Sequence, residues 1–219
     1  MSDSNKCLIV MVLDRSGSMA SIKEDTIGGV NTFLTSQGKF PGKTYVTLAQ
    51  FDTEYEVVYQ NQTLETVRPL DQNSFVPRGG TALLDAIGRT LNATAAELVD
   101  TPEDQKPGRV YFVIITDGQE NSSTQFTRDQ VGDKPGIFEM IKHHKEALGF
   151  EFVFLGANQD AISVGNSYGI AAGASMSYTC TSAGVKGTYD ALSQKMWTSR
   201  ASGSGLEFDD KDRASSTQQ

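Results

Sequence analysis

Five oxygen-bearing side chains stand at three points of the sequence, each beside a predicted strand end or helix start. They are Asp14, Ser16, Ser18, Thr81 and Asp117. The first three follow the apolar run LIVMVL within one short loop, in which Gly17 helps the backbone to turn tightly. Carboxylate and hydroxyl oxygens are hard donors, and Mg²⁺, Mn²⁺ and Ca²⁺ prefer such ligands. This loop therefore predicts part of a divalent-cation site whose other ligands come from elsewhere in the chain.

Predicted strands and helices alternate along the sequence. Apolar or β-rich runs of strand length occupy residues 8–13, 44–51, 55–60, 109–116, 150–155 and 175–179. Helical spacing predicts helices at 21–36, about 81–98, 137–148, a short one ending near 168, and a last one around 185–196. The pattern indicates a doubly wound α/β fold with helices on both faces of a mostly parallel sheet of about six strands. The second and third strands read as a hairpin, so one strand is expected to be antiparallel.

This fold class predicts where the oxygen-bearing side chains meet. In open α/β sheets, ligands bind beyond the carboxyl ends of the strands, at the point where the strand order reverses. Asp14 and Asp117 each follow a predicted buried strand, and Thr81 lies at the N-terminus of a predicted helix. If the two strands are neighbours, all five side chains converge on one crevice. Because neither Cys nor His is among them, the donor set favours Mg²⁺ over soft or borderline metals.

Two local patterns refine the predicted elements. Ser21 and Glu24 have the spacing of a capping box, which predicts that a helix begins there. Residues 119–136 are polar and predict a loop, with one short helical turn after Thr127.

Composition narrows the class of protein. The 219 residues are 38% hydrophobic and 21% charged, and no apolar stretch approaches the ~18 residues of a membrane helix. The net charge of -8 argues against broad nucleic-acid binding. With no visible secretory signal, the distant Cys7 and Cys180 are expected to be free thiols in the cytoplasm. We expect one domain at residues 1–199, followed by a peripheral polar tail at 200–219.

In order and context these residues resemble the von Willebrand factor A domain and its metal-ion-dependent adhesion site. The resemblance rests on Asp14-x-Ser16-x-Ser18 after an apolar strand, on Thr81 preceded by two glycines, and on Thr116-Asp117-Gly118 after a second apolar strand. It extends from residue 6 to about residue 178 and suggests the intracellular bacterial or phage type of the family. The fold that it implies is the Rossmann-like α/β fold predicted above.

The resemblance also implies a function. Ser16, Ser18 and Thr81 would contact a Mg²⁺ ion, or Mn²⁺ or Ca²⁺, while Asp14 and Asp117 would often act through water. An Asp or Glu of a protein partner would fill the open position of the cation. The family thus suggests a protein-binding module without enzymatic activity, acting in a multiprotein assembly. It also suggests that the Thr81 loop shifts between weak-binding and tight-binding arrangements.

Two alternative functions remain open at the sequence level. A phosphatase of the haloacid dehalogenase type also places an Asp after its first strand and binds Mg²⁺. That chemistry uses a second acid two residues later, and Ser16 occupies this position here. The other alternative is a structural assembly component with a vestigial metal site, and the complete set of five site positions argues against it.

Several further polar residues are assigned no role as ligands. His143 and His144 are adjacent, so they cannot form the i, i+4 pair of a helical zinc site. Glu120, Asn121 and Asp160 follow predicted strands and are interpreted as solvated loop residues at the rim.

Overall fold

The computed structural model describes residues 3–218 of the chain. Its strands are β1 (Asp3–Asp14), β2 (Lys43–Phe51), β3 (Tyr55–Thr63), β4 (Pro107–Thr116), β5 (Glu151–Ala157) and β6 (Ser175–Tyr178). Its α-helices are α1 (Lys23–Gly38), α2 (Leu83–Asp100), α3 (Ile137–Leu148), α4 (Ala161–Ser167), α5 (Ser182–Ser202) and α6 (Asp210–Ser216). None of the helices in this range is both long enough and apolar enough to cross a membrane.

The six strands form one sheet in the order β3-β2-β1-β4-β5-β6. β3 is antiparallel to β2, and the other neighbours are parallel. This arrangement confirms the predicted α/β class, including the hairpin. The chain builds outward from β1 to β3 and then returns to β4 on the other side of β1. The strand order therefore reverses between β1 and β4, which opens a crevice at their carboxyl ends.

Helices cover both faces of the sheet, which explains the unbroken apolar run in β1. Ile9, Met11 and Leu13 pack on the face that carries α1 and α5. Leu8, Val10 and Val12 point to the opposite face, against α2 and α3. Side chains alternate along a strand, so a strand covered on both faces must be apolar at consecutive positions. β1 is therefore a rigid, central support for the loop that follows Asp14.

The first helix begins differently from the prediction. Residues Gly17–Ile22 form a 3₁₀ helix, and α1 starts at Lys23 with no side-chain hydrogen bond at its N-cap, Ile22. The Ser21 hydroxyl instead faces the carbonyl of Ser18 at 3.4 Å. The predicted capping box is therefore wrong, because the oxygen-rich loop continues directly into a 3₁₀ turn that displaces the helix start.

Residues 119–136 form a loop, as predicted, but without the expected helical turn. An isolated antiparallel β-bridge joins Val131 and Lys134 instead. Residues of α3 bond to the loop backbone: the N–H groups of Ile137 and Phe138 donate to the carbonyls of Thr127 and Arg128. These carbonyls bond to the start of α3, so they are not available to close a helical turn of their own.

The C-terminal segment packs against the domain and is not a peripheral tail. α5 continues through the predicted boundary at residue 199, and Leu206 and Phe208 are buried in the core cluster on the α5 side of the sheet. The Ser216 hydroxyl donates to the carbonyl of Ser177 in β6 at 2.8 Å. The polar composition hid this docking, because Leu206 and Phe208 are isolated apolar residues in a polar segment and become buried only against the rest of the fold.

Two adjacent glycines of α1 offer a test of the α1–α5 packing. A Cβ on Gly29 would lie 2.1 Å from a ring carbon of Tyr189 in α5, whereas a Cβ on Gly28 would meet nothing within 4 Å. Gly29→Ala should therefore destabilise the protein by about 1–3 kcal/mol through overpacking. Gly28→Ala should stabilise it by about 0.5–1 kcal/mol through helix propensity. Urea unfolding of both variants checks this, and effects of the same sign would contradict the contact.

Candidate metal centre

The predicted site residues lie together at the carboxyl edge of the sheet. Asp14 ends β1, and Thr116 ends β4, which pairs with β1 in parallel. Asp117 is consequently the first residue beyond the neighbouring strand. Thr81 comes from the loop before α2; the N-cap of that helix is Ala82, so Thr81 lies just outside the helix and does not cap it.

Hydrogen bonds join the first loop to Asp117. The Ser18 hydroxyl donates to Oδ1 of Asp117 at 2.6 Å, and the Oγ atoms of Ser16 and Ser18 are 3.1 Å apart. The Ser16 backbone N–H donates to Oδ1 of Asp14 at 2.6 Å. Two carboxylates and two hydroxyls from residues about a hundred positions apart in the sequence thus form one connected cluster.

Gly118 brings Thr81 into the same cluster. A Cβ on Gly118 would lie 3.0 Å from Oγ1 of Thr81 and 3.7 Å from Oγ of Ser18. Both hydroxyls therefore approach one point of the backbone directly after Asp117. A side chain at position 118 would crowd them, so glycine permits the close approach of the three loops.

Asp14 is a buried carboxylate with two hydrogen-bond donors. Its Oδ2 accepts from the Thr116 hydroxyl at 2.6 Å, and its Oδ1 accepts from the Ser16 N–H. Burial raises the pKa of Asp14 to about 6; the bonds from Thr116 and Ser16 oppose the shift, and the charge of Asp117 adds to it. The charged form of Asp14 is therefore held at a cost that a nearby cation would offset.

Asp117 is in a similar but less enclosed position. Burial raises its pKa, while the hydrogen bond from Ser18 acts in the opposite direction. Among residues 3–218, none of the ion pairs with a basic side chain includes Asp14 or Asp117. Two carboxylates without a countercharge, beside three hydroxyls, form a donor set suited to a hard divalent cation.

The described part of the chain contains no group of three or more His, Cys, Asp or Glu side chains that could hold a metal. The candidate centre differs from such sites because most of its donors are hydroxyls. His144 is remote from it on α3, where its Nδ1 lies 2.7 Å from the carbonyl of Met140. Cys7 and Cys180 are free, as predicted.

Another buried carboxylate, Asp52, lies beside the centre and is not identifiable from the sequence alone. Its Oδ2 accepts from Nε of Arg15 and from Nε of Arg78, each at 2.9 Å. Burial alone would raise the pKa of Asp52, but hydrogen bonds from Arg78 and from the backbone of Glu54, with the charge of Arg15, bring it below its usual value. Asp52 is thus compensated by positive charge, in contrast to Asp14.

Glu120 and Asn121 hold the start of α2 and are not merely solvated loop residues. Oδ1 of Asn121 accepts from the Thr81 N–H at 2.9 Å, and the Asn121 N–H donates to the Thr81 carbonyl at 3.0 Å. Oε2 of Glu120 accepts from the Leu84 N–H at 2.9 Å. Glu120 thus satisfies a backbone N–H that α2 leaves unpaired at its N-terminus, and Asn121 holds the backbone of Thr81 just before the helix. Asp160 likewise caps α4 by accepting from the Ser163 N–H at 3.0 Å.

Asp85, in the first turn of α2, holds the loop of residues 119–136 in place. Its carboxylate accepts from the backbone N–H groups of Thr124, Gln125 and Phe126 at 2.9–3.0 Å. The only sequence signal for this role is an acid in the first turn of a predicted helix, a position that the helix dipole favours in any protein. Together with Asn121, Asp85 links the Thr81 loop firmly to the segment after Asp117.

Comparison with known proteins addresses the fold. No family model matches the sequence, and no curated protein matches it. Among solved structures, the vWF domain of the type V pili tip protein Mfa5 from Porphyromonas gingivalis aligns with a TM-score of 0.59 and 12% identity over 87% of this chain and 94% of that chain. A von Willebrand factor type A structure from Catenulispora acidiphila aligns with a TM-score of 0.53 and 16% identity over 88% of this chain and 43% of that chain. This chain has the von Willebrand factor A fold.

A third solved structure is also similar to this chain. Proximal thread matrix protein 1 from the mussel byssus aligns with a TM-score of 0.55 and 12% identity, over 88% of this chain and 46% of that chain. The chain therefore spans less than half the length of this protein and of the Catenulispora acidiphila protein. At such identities the likeness concerns the fold, and the cation site stays a prediction.

Proposed function

We propose that this chain is a protein-binding module that depends on a divalent cation held by Asp14, Ser16, Ser18, Thr81 and Asp117. One observation carries the proposal: two carboxylates without a countercharge adjoin three hydroxyls at the strand-order reversal of a von Willebrand factor A fold. Mg²⁺ suits this oxygen set best, and Mn²⁺ or Ca²⁺ would be accepted by the same atoms.

The hydrogen bonds suggest that the hydroxyls and the carboxylates have different roles. Ser16, Ser18 and Thr81 would offer their hydroxyl oxygens to the cation. Asp117 orients the Ser18 hydroxyl, and Asp14 anchors the backbone N–H of Ser16, so the carboxylates hold the loops behind the hydroxyls. When bound, the cation would supply positive charge and an open coordination position for an acidic group. Thr116 keeps Asp14 in place by donating to it.

The proposed partner is a protein that presents an Asp or Glu side chain. A carboxylate would complete the coordination of a cation held mainly by neutral hydroxyls, because the site leaves that cation with much of its positive charge. Two structures that share the fold are, by name, a pilus tip protein and a thread matrix protein, which supports a role in a multiprotein assembly. The two free cysteines support a reducing, cytoplasmic location.

Binding is proposed rather than catalysis. Ser16 stands where a phosphatase of the haloacid dehalogenase type needs its second acid, and its hydroxyl lies 3.1 Å from that of Ser18. A hydroxyl at this place is a poor general acid at neutral pH. Hydrolysis of p-nitrophenyl phosphate that required Mg²⁺ and was lost in Asp14→Asn would favour the phosphatase instead.

Selection from a random peptide library tests the proposed binding. The protein is immobilised in Mg²⁺, and bound peptides are eluted with EDTA. We expect recovered peptides to share an Asp or Glu, and replacement of that residue by Asn or Gln to abolish binding. Asp117→Ala should recover none of them, and Asp160→Ala, which alters another carboxylate in a loop after a strand, should recover the same set. Peptides without an acid, or binding that resists EDTA, would refute the proposal.

A further inference from the structure

An ion cluster beside the proposed cation site joins the two loops that carry its hydroxyls, and only its central pair, Arg15 and Asp52, is buried. It consists of Arg15, Asp52 and Arg78, with Glu54 and Glu56 on its outer side. Arg15 lies between Asp14 and Ser16, and Arg78 lies three positions before Thr81. Both guanidinium groups donate through Nε to the same oxygen of Asp52, each at 2.9 Å.

Backbone hydrogen bonds run alongside the ion cluster. The Arg78 N–H donates to the Arg15 carbonyl at 2.8 Å, and the Gly17 N–H donates to the Gly79 carbonyl at 3.2 Å. The Asp52 carbonyl accepts from the Ala82 N–H at 2.9 Å. The loop of Ser16 and Ser18 is therefore bonded to the loop of Thr81 at Arg78 and Gly79, and Asp52 is bonded to the residue that follows Thr81.

We propose that Asp52 and Arg78 are positioning residues that set the distance between the Ser16–Ser18 loop and Thr81, and thereby the affinity for the cation. The inference rests on the proposed function and adds residues that do not touch the cation. Arg15 and Asp52 are nearly inaccessible, with side chains 6% and 1% exposed, so their ion pair is shielded from solvent. Partners behind the direct ligands commonly contribute to affinity by holding the ligands in place.

Electrostatics and positioning predict opposite results for one substitution. Arg78→Gln removes a positive charge near the site, so a purely electrostatic effect would tighten the binding of a cation. If Arg78 instead holds the Thr81 loop, the same change loosens one hydroxyl ligand and weakens binding. The sign of the change in affinity therefore separates the two accounts.

Arg128 provides a matched control for Arg78. Its side chain is 55% exposed and that of Arg78 is 52% exposed, and Arg128 also donates through Nε and a terminal nitrogen to a carboxylate, that of Asp129. Arg128→Gln removes the same charge but no bond between the two loops. We expect Arg78→Gln to raise the dissociation constant of Mn²⁺ by about 10-fold, and Arg128→Gln to leave it within twofold of wild type.

Asp52→Asn tests the same contact from its other side. It should raise the dissociation constant of Mn²⁺ at least as much as Arg78→Gln does. The variant with both substitutions should bind Mn²⁺ no more weakly than the single variant with the larger effect, because the two residues act through one contact. Titration calorimetry with Mn²⁺ gives the constants, and denaturant midpoints in EDTA show whether each variant is folded. An Arg78→Gln protein that binds Mn²⁺ as tightly as Arg128→Gln overturns the positioning role.

Hydrogen exchange in EDTA examines the same contact without the metal. The Gly17 amide, bonded to Gly79, should exchange faster in Arg78→Gln than in wild type or Arg128→Gln, and an unchanged rate would overturn the positioning role. If the wild-type protein itself fails to bind Mn²⁺, the proposed function and the effect on affinity both fall. Wild-type binding with equal constants for the two arginine variants overturns only this inference.

Discussion

Mg²⁺ at about 100 times its dissociation constant should raise the free energy of unfolding by roughly 2.7 kcal/mol over the value in EDTA. A ligand that binds only the folded protein stabilises it by mass action, and the donors of this site come together only on folding. Asp14 and Asp117 are joined to the same loop by hydrogen bonds but belong to distant parts of the sequence. Urea unfolding in Mg²⁺ and in EDTA measures the increment.

Asp117→Ala should abolish this increment, because it removes one of the two acids and the acceptor of the Ser18 hydroxyl. Asp160→Ala is the matched control: it removes a carboxylate from the loop after β5, where Asp160 only caps α4. This control is expected to lower stability in both media and to retain the full Mg²⁺ increment. A wild-type protein that Mg²⁺ does not stabilise would refute the cation site.

Asp14→Asn should be more stable than wild type at pH 7 in EDTA, by about 3 kcal/mol. Burial raises the pKa of Asp14 from 3.8 to about 6, and a tenfold change in proton affinity corresponds to about 1.4 kcal/mol. Because the folded protein binds this proton more tightly, the contribution of Asp14 favours folding below pH 4. That contribution is lost as the pH rises through about 6, when a buried charge remains.

The asparagine amide fits the position of Asp14. Its oxygen can accept from the Ser16 N–H, and its NH₂ can donate to the Thr116 hydroxyl, which bonds to Asp14 in the wild type. Urea unfolding of both proteins at pH 4, 5, 6 and 7 should show a stability difference that grows with pH. Saturating Mg²⁺ should shrink or reverse it, since only the wild type binds the cation. A variant that is less stable than wild type at pH 7 in EDTA would contradict this account.

Such a result would show that Asp14 is retained at the expense of the stability of the metal-free protein. Asp52 is equally buried but paired with Arg15 and Arg78, so its charge is compensated within the chain. The two carboxylates lie at neighbouring strand ends, β1 and β2, yet only Asp52 has basic partners. A buried acid left without a basic partner at the opening of a sheet is where an external cation is expected.

Local sequence predicted the strands and most of the helices. The strands are short runs of β-branched, aliphatic and aromatic residues, and the pattern of each run reflects its burial; β1 is apolar at successive positions because both of its faces are covered. The five proposed ligands were likewise identifiable as oxygen-bearing residues, since each stands near the end of a predicted strand or the start of a predicted helix. Their convergence follows from the parallel pairing of β1 with β4.

Long-range contacts decided what the sequence left undetermined. Leu206 and Phe208 look like part of a polar tail until α5 and β6 provide a surface that buries them. The capping box predicted at Ser21 does not form, because a 3₁₀ helix that begins in the loop after Asp14 includes Ser21. A capping preference is worth only about 1 kcal/mol, so contacts made elsewhere in the chain can override it.

The sequence by itself determined the α/β class, the central strand β1 and the oxygen donors at its end, because periodicity and the residues at strand ends are local properties. Only the tertiary structure showed that Asp14 lacks a positive partner while Asp52 has two, and that Asp85, Asn121 and the Arg15–Asp52–Arg78 cluster bind the site loops together. These contacts join residues 26 to 41 positions apart. An isolated Asp or Arg carries no signal of its distant partner, so only the folded chain shows which charges are compensated.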